Sequence, residues 1–151
     1  MNDHNSREFI LDEIRSIFAK QKIFLMTTVD WQGRPRSRYM SGRLLEDGSI
    51  VGATCAGSAK VEQIRENPWV SVSTFPEGGW GSPFFILEGR CSVHGDQDTK
   101  NKYWTDDFTS HFSGPSDPDF LVYHISPVRV TVSSKGTDKV HHLDDNFIRT
   151  F

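Results

Sequence analysis

The sequence predicts a mainly β domain with minor α content: an antiparallel barrel of six strands, closed or nearly closed, carrying short flanking helices. Three observations predict it. Apolar or alternating runs recur at 23–29, 34–42, 49–54, 69–75, 82–96 and 120–134. Gln32-Gly33 and Asp47-Gly48 separate the first three as hairpin signals. Strands do not alternate with long helical patterns, as a doubly wound parallel sheet would require. At 151 residues the chain has the length of one domain. That domain is expected over 1–133, with 134–151 as a C-terminal tail.

In chain order, Asn5 followed by Glu8 reads as a capping box, and Ile10, Ile14, Ile17 and Phe18 keep helical spacing behind it, so a first helix is expected over about 6–20. The runs "IFLMTTV", "RPRSRYMSG" and "SIVGAT" then form a three-stranded meander. A short helix follows from Ser58 to about Glu66, with Val61 and Ile64 on one face and Asn67-Pro68 as its stop. "WVSVSTF" alternates as a half-buried strand. "SPFFILEGRCSVHGD" is long for a strand, and Gly89 in its middle marks a bulge or a close backbone approach. Residues 98–112 have weak helical periodicity, "SGPSDPD" is a loop, and the last strand, 120–134, is expected to be interrupted at Pro127. The polar tail from Lys135, with Phe147, Ile148 and Phe151 near its end, is expected to fray or to dock on a partner.

Composition sets bounds on function. No apolar run approaches the roughly 20 residues of a membrane span, and no secretory signal opens the chain, so a cytoplasmic protein without a membrane role is expected. Cys55 and Cys91 stand in no metal or redox spacing and read as reduced thiols. Adjacent His141 and His142 on an extended segment point apart, so no metal site is expected there. The net charge of −3 argues against nucleic acid as a partner. It conceals an asymmetry: residues 1–65 carry +2 and the remainder −5, with Arg34, Arg36, Arg38 and Arg43 inside ten residues. So local a basic patch suits one small anion better than a polymer.

That anion has a candidate seat in "ATCAGSAK", residues 53–60, where a strand delivers the chain to the start of the 58–66 helix. A helix N-terminus presents unpaired N–H groups and a partial positive charge. Ser58 and Lys60 occupy that turn, Thr54 adds a hydroxyl, Gly57 lets a ligand come close to the backbone, and Arg38 on a neighbouring strand can reach the rim. The patch therefore reads as a phosphate cradle. Two simpler roles stand beside it: Ser58 as a plain N-cap and Lys60 as a solvated lysine. Of the three alternating arginines, Arg38 is expected at the anion, and Arg34 and Arg36 in solvent or paired with surface acids.

The motifs Arg34-Pro35-x-Ser37-Arg38-Tyr39-Met40, Ala53-Thr54-x-x-x-Ser58-x-Lys60, Gln63-Ile64-x-x-Asn67-Pro68-x-Val70-Ser71 and Glu88-Gly89-Arg90 resemble, in order and spacing, the FMN-binding split-barrel family of pyridoxamine 5'-phosphate oxidase. The nearest branch is the short bacterial general stress protein group, and "FSGPSDPD" is similar to that branch's acidic loop. The resemblance implies a split β-barrel and a homodimer with FMN in clefts between subunits. It further implies phosphate and ribityl ligands at Arg38, Thr54, Ser58 and Lys60, and a flavin lining at Tyr39, Met40 and Ala53. Phe84 falls where the oxidase has a glutamine facing the cofactor. The branch's last-strand tryptophan is replaced near Val130-Thr131-Val132, which leaves Trp104 as a candidate cover for the flavin. The Trp- and Arg-rich C-terminal segment of the true oxidase is missing, so vitamin B6 oxidation is not expected. The expected activity is that of an FMN-dependent oxidoreductase with a nicotinamide donor, no named catalytic side chain and an open substrate. The alternatives are a non-catalytic flavin-binding or flavin-storage stress protein, or a split barrel holding a deazaflavin or a haem, the latter ligated by His94, His111 or His124.

Overall fold

The computed structural model describes residues 3–135 and 137–143, with side chains from residue 7. Helix α1 (Asp3–Lys20) leads into strands β1 (Ile23–Val29), β2 (Pro35–Ser41), β3 (Arg43–Leu44) and β4 (Ile50–Cys55). Helix α2 (Ala59–Glu66), strands β5 (Trp69–Ser73) and β6 (Phe84–His94), helix α3 (Gln97–Tyr103) and a 3₁₀ turn (Asp106–Ser110) follow. Strands β7 (Phe120–Ser134) and β8 (Thr137–His142) complete the described chain. All strand pairs are antiparallel, in the order β2-β1-β5-β6-β7-β4-β3, with β8 added to β7.

The two ends of that order are neighbours in the chain. Only Gly42 separates β2 from β3, so the sheet curls until its edges meet in one bent strand. A side chain at Gly42 or Gly52 would run into the Tyr123 ring or hydroxyl, and that hydroxyl donates to the Ser41 carbonyl across the gap. One buried tyrosine thus pins the seam. Inside lie Ile10, Ile14, Phe24, Met26, Ile50, Phe85, Leu87, Ile125 and Val130, all essentially without exposure, with α1 packed over one end.

Eight strands stand where six are expected, for two reasons. Gly42 divides the second strand, and β8 arises from the segment read as tail: 137–142 pairs with 129–134 of β7. Phe147, Ile148 and Phe151 lie outside the described residues. Three further expectations are corrected. Helix α1 starts at Asp3, so Asn5 lies within it rather than at its cap. Residues 98–112 divide into α3, capped by the Asp96 carboxylate on the Thr99 N–H, and the 3₁₀ turn. Pro127 does not interrupt β7, because the β6–β7 register slips by one residue there, Glu88 facing Arg129 and Gly89 facing Pro127. The slip shifts the inward residues of β7 from Tyr123 and Ile125 to Val128, Val130 and Val132. Gly89 sits at this slip, whose extra residue is Val128 of β7, and it is the close approach that the sequence signalled, since a Cβ there would collide with the Ser126 carbonyl.

Candidate functional site

The fold turns β4 inward at Thr54 and then bends at Cys55–Ser58 into α2, whose Val61 and Ile64 are buried on the barrel. With that face fixed, Lys60 and Gln63 point toward the end of the sheet. The Lys60 Nζ donates to Thr54 Oγ1 at 3.0 Å and to Ser58 Oγ at 3.1 Å, and the two hydroxyl oxygens are 3.3 Å apart. Ser58 holds the N-cap position without a side-chain capping bond; its hydroxyl donates to the Cys55 carbonyl at 2.9 Å instead. Ser58 is therefore oriented by the turn before the helix, not by the helix. An ammonium has three N–H donors, and two are engaged by these oxygens.

Arg38 enters from β2, opposite Met26 of β1. Its Nη2 donates to Gln63 Oε1 at 3.1 Å, and the same oxygen accepts the Thr28 hydroxyl at 2.6 Å. Thr28 is fully buried. Burial holds the Arg38 guanidinium below the ordinary arginine range. Burial and then the nearby Arg38 charge push the Lys60 ammonium down, with Cys55 acting the other way. Among the described residues no carboxylate pairs with either cation. Two half-buried positive charges near enough to repel each other cost free energy that an anion beside them would relieve.

The other expected positions divide. Tyr39 stands on the outer face of β2 and is 78% exposed, whereas Met40 turns inward against the main core. Ala53 and Trp104 meet in a satellite cluster around Phe112, Phe120 and Val122, where the Trp104 ring stands edge-on to Phe108 and Phe120. Arg34 and Arg36 both pair with an acid, as expected, at 3.0 Å, but the acid is the buried Asp30 rather than a surface one. Gln63 and Thr28 join the site without having been among its expected residues; the i,i+3 spacing of Lys60 and Gln63 is the signal in the sequence that points to Gln63. Two hollows lie elsewhere. One, of about 640 Å³, lies between α1 and 77–83, and the other, of about 560 Å³, lies beside the Gly42 bend; neither is lined by Arg38, Thr54, Ser58 or Lys60. Arg38, Ser58 and Lys60 each remain partly exposed.

The class that the fold and the site define is a curled antiparallel barrel with a cationic, hydroxyl-bearing turn at the start of a short helix. A profile of the pyridoxamine 5'-phosphate oxidase family matches residues 10–134, and the chain belongs to that family. Among solved structures it is similar to general stress protein 26 of Bacillus anthracis, with 24% identity over 88% of this chain and 98% of that one and a TM-score of 0.73. A pyridoxamine 5'-phosphate oxidase-related, FMN-binding protein of Nostoc punctiforme shares 20% identity over 94% and 91% of the two chains, with a TM-score of 0.68. A haem-binding protein of Mycobacterium smegmatis shares 17% over 88% and 57%, with a TM-score of 0.71. At these identities the likeness is one of fold. Dihydrophenazinedicarboxylate synthase of Pseudomonas chlororaphis is 30% identical over 66 residues, 43% of this chain and only 30% of that protein.

Proposed function

We propose that this protein binds FMN, with the flavin phosphate seated among Arg38, Thr54, Ser58 and Lys60, and that it works as a flavin-dependent oxidoreductase of the general stress protein branch. The observation that carries this reading is the pair of half-buried cations, Lys60 on the hydroxyls of Thr54 and Ser58 and Arg38 on the Gln63 side-chain oxygen, close enough for Arg38 to push the Lys60 ammonium down and with no carboxylate among the described residues to neutralise them. The donor set fits a phosphate: one guanidinium edge, one ammonium, two hydroxyls and the first turn of α2. Bound FMN would supply hydride acceptance and release at its ring. The chain's own part is placement. Lys60 and Arg38 hold the charged end, Gln63 fixes the guanidinium, and Tyr39, Met40 and Ala53 are proposed along the ring, with Trp104 as a cover.

The partial exposure of Arg38, Ser58 and Lys60 favours a second wall from another copy of the chain. We therefore take the working unit as a twofold homodimer with the cofactor cleft between subunits. The exposed Ile23 and Tyr39 on the outer faces of β1 and β2 suit such a contact. The deciding experiment is the absorption spectrum and mass of the small molecule released when the purified protein is denatured. FMN supports the reading; haem or a deazaflavin replaces it. Steady-state oxidation of NADH or NADPH by the holoprotein then separates an oxidoreductase with a nicotinamide donor from a protein that only stores flavin.

A further inference from the structure

Lys100 is a lysine with 5% exposure, far from the cation cluster in sequence. Burying an ammonium is costly unless its donors are met, so its contacts report what it holds. Its Nζ donates to the Asp117 carbonyl at 2.8 Å and lies 5.6 Å over the Phe120 ring. Asp117 is the knot of the loop at 113–119. Its carboxylate accepts the Ser113 N–H at 3.0 Å and the Asp119 N–H at 2.9 Å, and its carbonyl also accepts the Phe120 N–H at 3.0 Å. Asp119 passes the constraint on: its carbonyl and its Oδ1 accept the Ala56 N–H at 2.9 and 3.2 Å.

Ala56 lies in the turn that builds the cradle. Cys55, its neighbour, pairs with Phe120 in the sheet, and the Cys55 carbonyl accepts both the N–H and the hydroxyl of Ser58, at 3.1 and 2.9 Å. Ser58 Oγ in turn receives Lys60 Nζ. A continuous path of hydrogen bonds and adjacent backbone thus runs from Lys100 through Asp117, Asp119, Ala56 and Cys55 to Ser58 and Lys60. Ser58 has no capping bond of its own to fix its rotamer, so the turn is what fixes it.

We infer that the 113–119 loop braces the anion cradle, with Lys100 and Asp117 as positioning residues for a phosphate that neither touches. The inference rests on the FMN reading above. A loop that merely closed the satellite cluster would affect every ligand alike, or none. A brace acts on the phosphate alone, and riboflavin, which is FMN without its phosphate, makes the difference measurable.

The experiment titrates the full chain, freed of bound flavin, with FMN and with riboflavin and follows flavin fluorescence. Lys100→Met keeps length and loses the charge; Asp117→Ala, at a partly exposed position, keeps the test alive if the buried substitution prevents folding. Each is expected to raise the FMN Kd about fivefold or more and the riboflavin Kd by less than about twofold. Equal weakening of both ligands, or no weakening of FMN, overturns the brace. Lys60→Ala is the reference. If it fails to separate FMN from riboflavin, the phosphate assignment itself falls and the brace with it; if it separates them and the loop variants do not, only the brace falls.

Discussion

Arg36 and Arg38 lie on the same face of one strand, with Arg34 just before it, yet their settings differ. Arg34 and Arg36 each place Nε 3.0 Å from Asp30 Oδ2. The Asp30 side chain is only 6% exposed, while the two arginine side chains are 57% and 51% exposed. Arg38, two residues further on, meets among the described residues only the Gln63 side-chain oxygen and, at 3.4 Å, the Met26 carbonyl, and its charge pushes on a second cation, Lys60. The difference is the position of one carboxylate. Charge density along the sequence made all three arginines candidates; the turn that folds Asp30 back under the strand removes two of them. Exposed ion pairs add little to stability, so the pairing matters chiefly because it neutralises.

The largest expected effect tests the unneutralised end. Lys60→Ala should weaken FMN binding by about 1.5 to 3 kcal/mol, roughly ten- to more than a hundredfold, through loss of a charge-assisted contact in a partly shielded site. The thermal transition of the apoprotein should hold or rise, because removing Lys60 relieves its repulsion with Arg38. Unchanged affinity would put the phosphate elsewhere.

The arginines should then separate. Arg38→Ala is expected to cost at least about 1.5 kcal/mol in FMN affinity, and Arg34→Ala and Arg36→Ala less than about 0.5 kcal/mol each at moderate salt. Equal small losses at all three would reduce the patch to a diffuse field and erase the contrast.

A smaller effect lies behind Arg38. Gln63→Leu removes the oxygen shared by Arg38 and the buried Thr28 hydroxyl, which keeps only the Arg36 carbonyl at 3.4 Å. The loss should be about 1 kcal/mol of stability by chemical denaturation and a few-fold in FMN affinity. Full affinity in this variant would mean that Arg38 needs no orientation.

Much of this arrangement was legible in the sequence, and the parts that were not share a cause. The turns were legible because Gly33 and Gly48 carry the positive φ, 77° and 89°, that their turns demand. Thr54, Ser58 and Lys60 were legible as a group because they are close in sequence and flank a strand-to-helix junction. Strand β8 was not, since Thr137–His142 is an edge strand with exposure nearly throughout and so without the alternation that marks a buried face. Pro127 read as a break because its missing N–H is harmless only where the pairing bulges, here at the unpaired Val128 beside it, a fact of pairing rather than of local sequence. Gln63 and Asp30 were missed for the same reason. Gln63 matters through a contact of a helix with two strands, and Asp30 through the way its turn folds it back beneath Arg34 and Arg36.

The smallest effect on the ligand is expected at Asp30 itself, where Asp30→Asn keeps an oxygen for the Gln32 and Arg34 backbone N–H groups and removes the charge that neutralises Arg34 and Arg36. At moderate salt FMN affinity should move by less than about twofold, because the freed guanidinia lie toward the turn; at low salt it should rise slightly as the local field becomes more positive. Stability carries the clearer signature. The Arg34 backbone N–H, followed by the two arginine side chains and the Gln32 N–H, holds the Asp30 carboxyl at about 2, against the opposing effect of burial. A carboxyl depressed in the folded state stabilises fully above its unfolded value, roughly 3.9, and loses that contribution as pH falls toward the folded value. The difference in Tm between wild type and Asp30→Asn should therefore be present near neutral pH and shrink between about pH 4 and pH 2. A difference that stayed constant through that window would mean that the turn and not the charge is what Asp30 provides. A several-fold gain in FMN affinity at moderate salt would mean that Arg36 reaches the ligand once released, and the two ends of the arginine face would then be a single site held partly closed by one carboxylate.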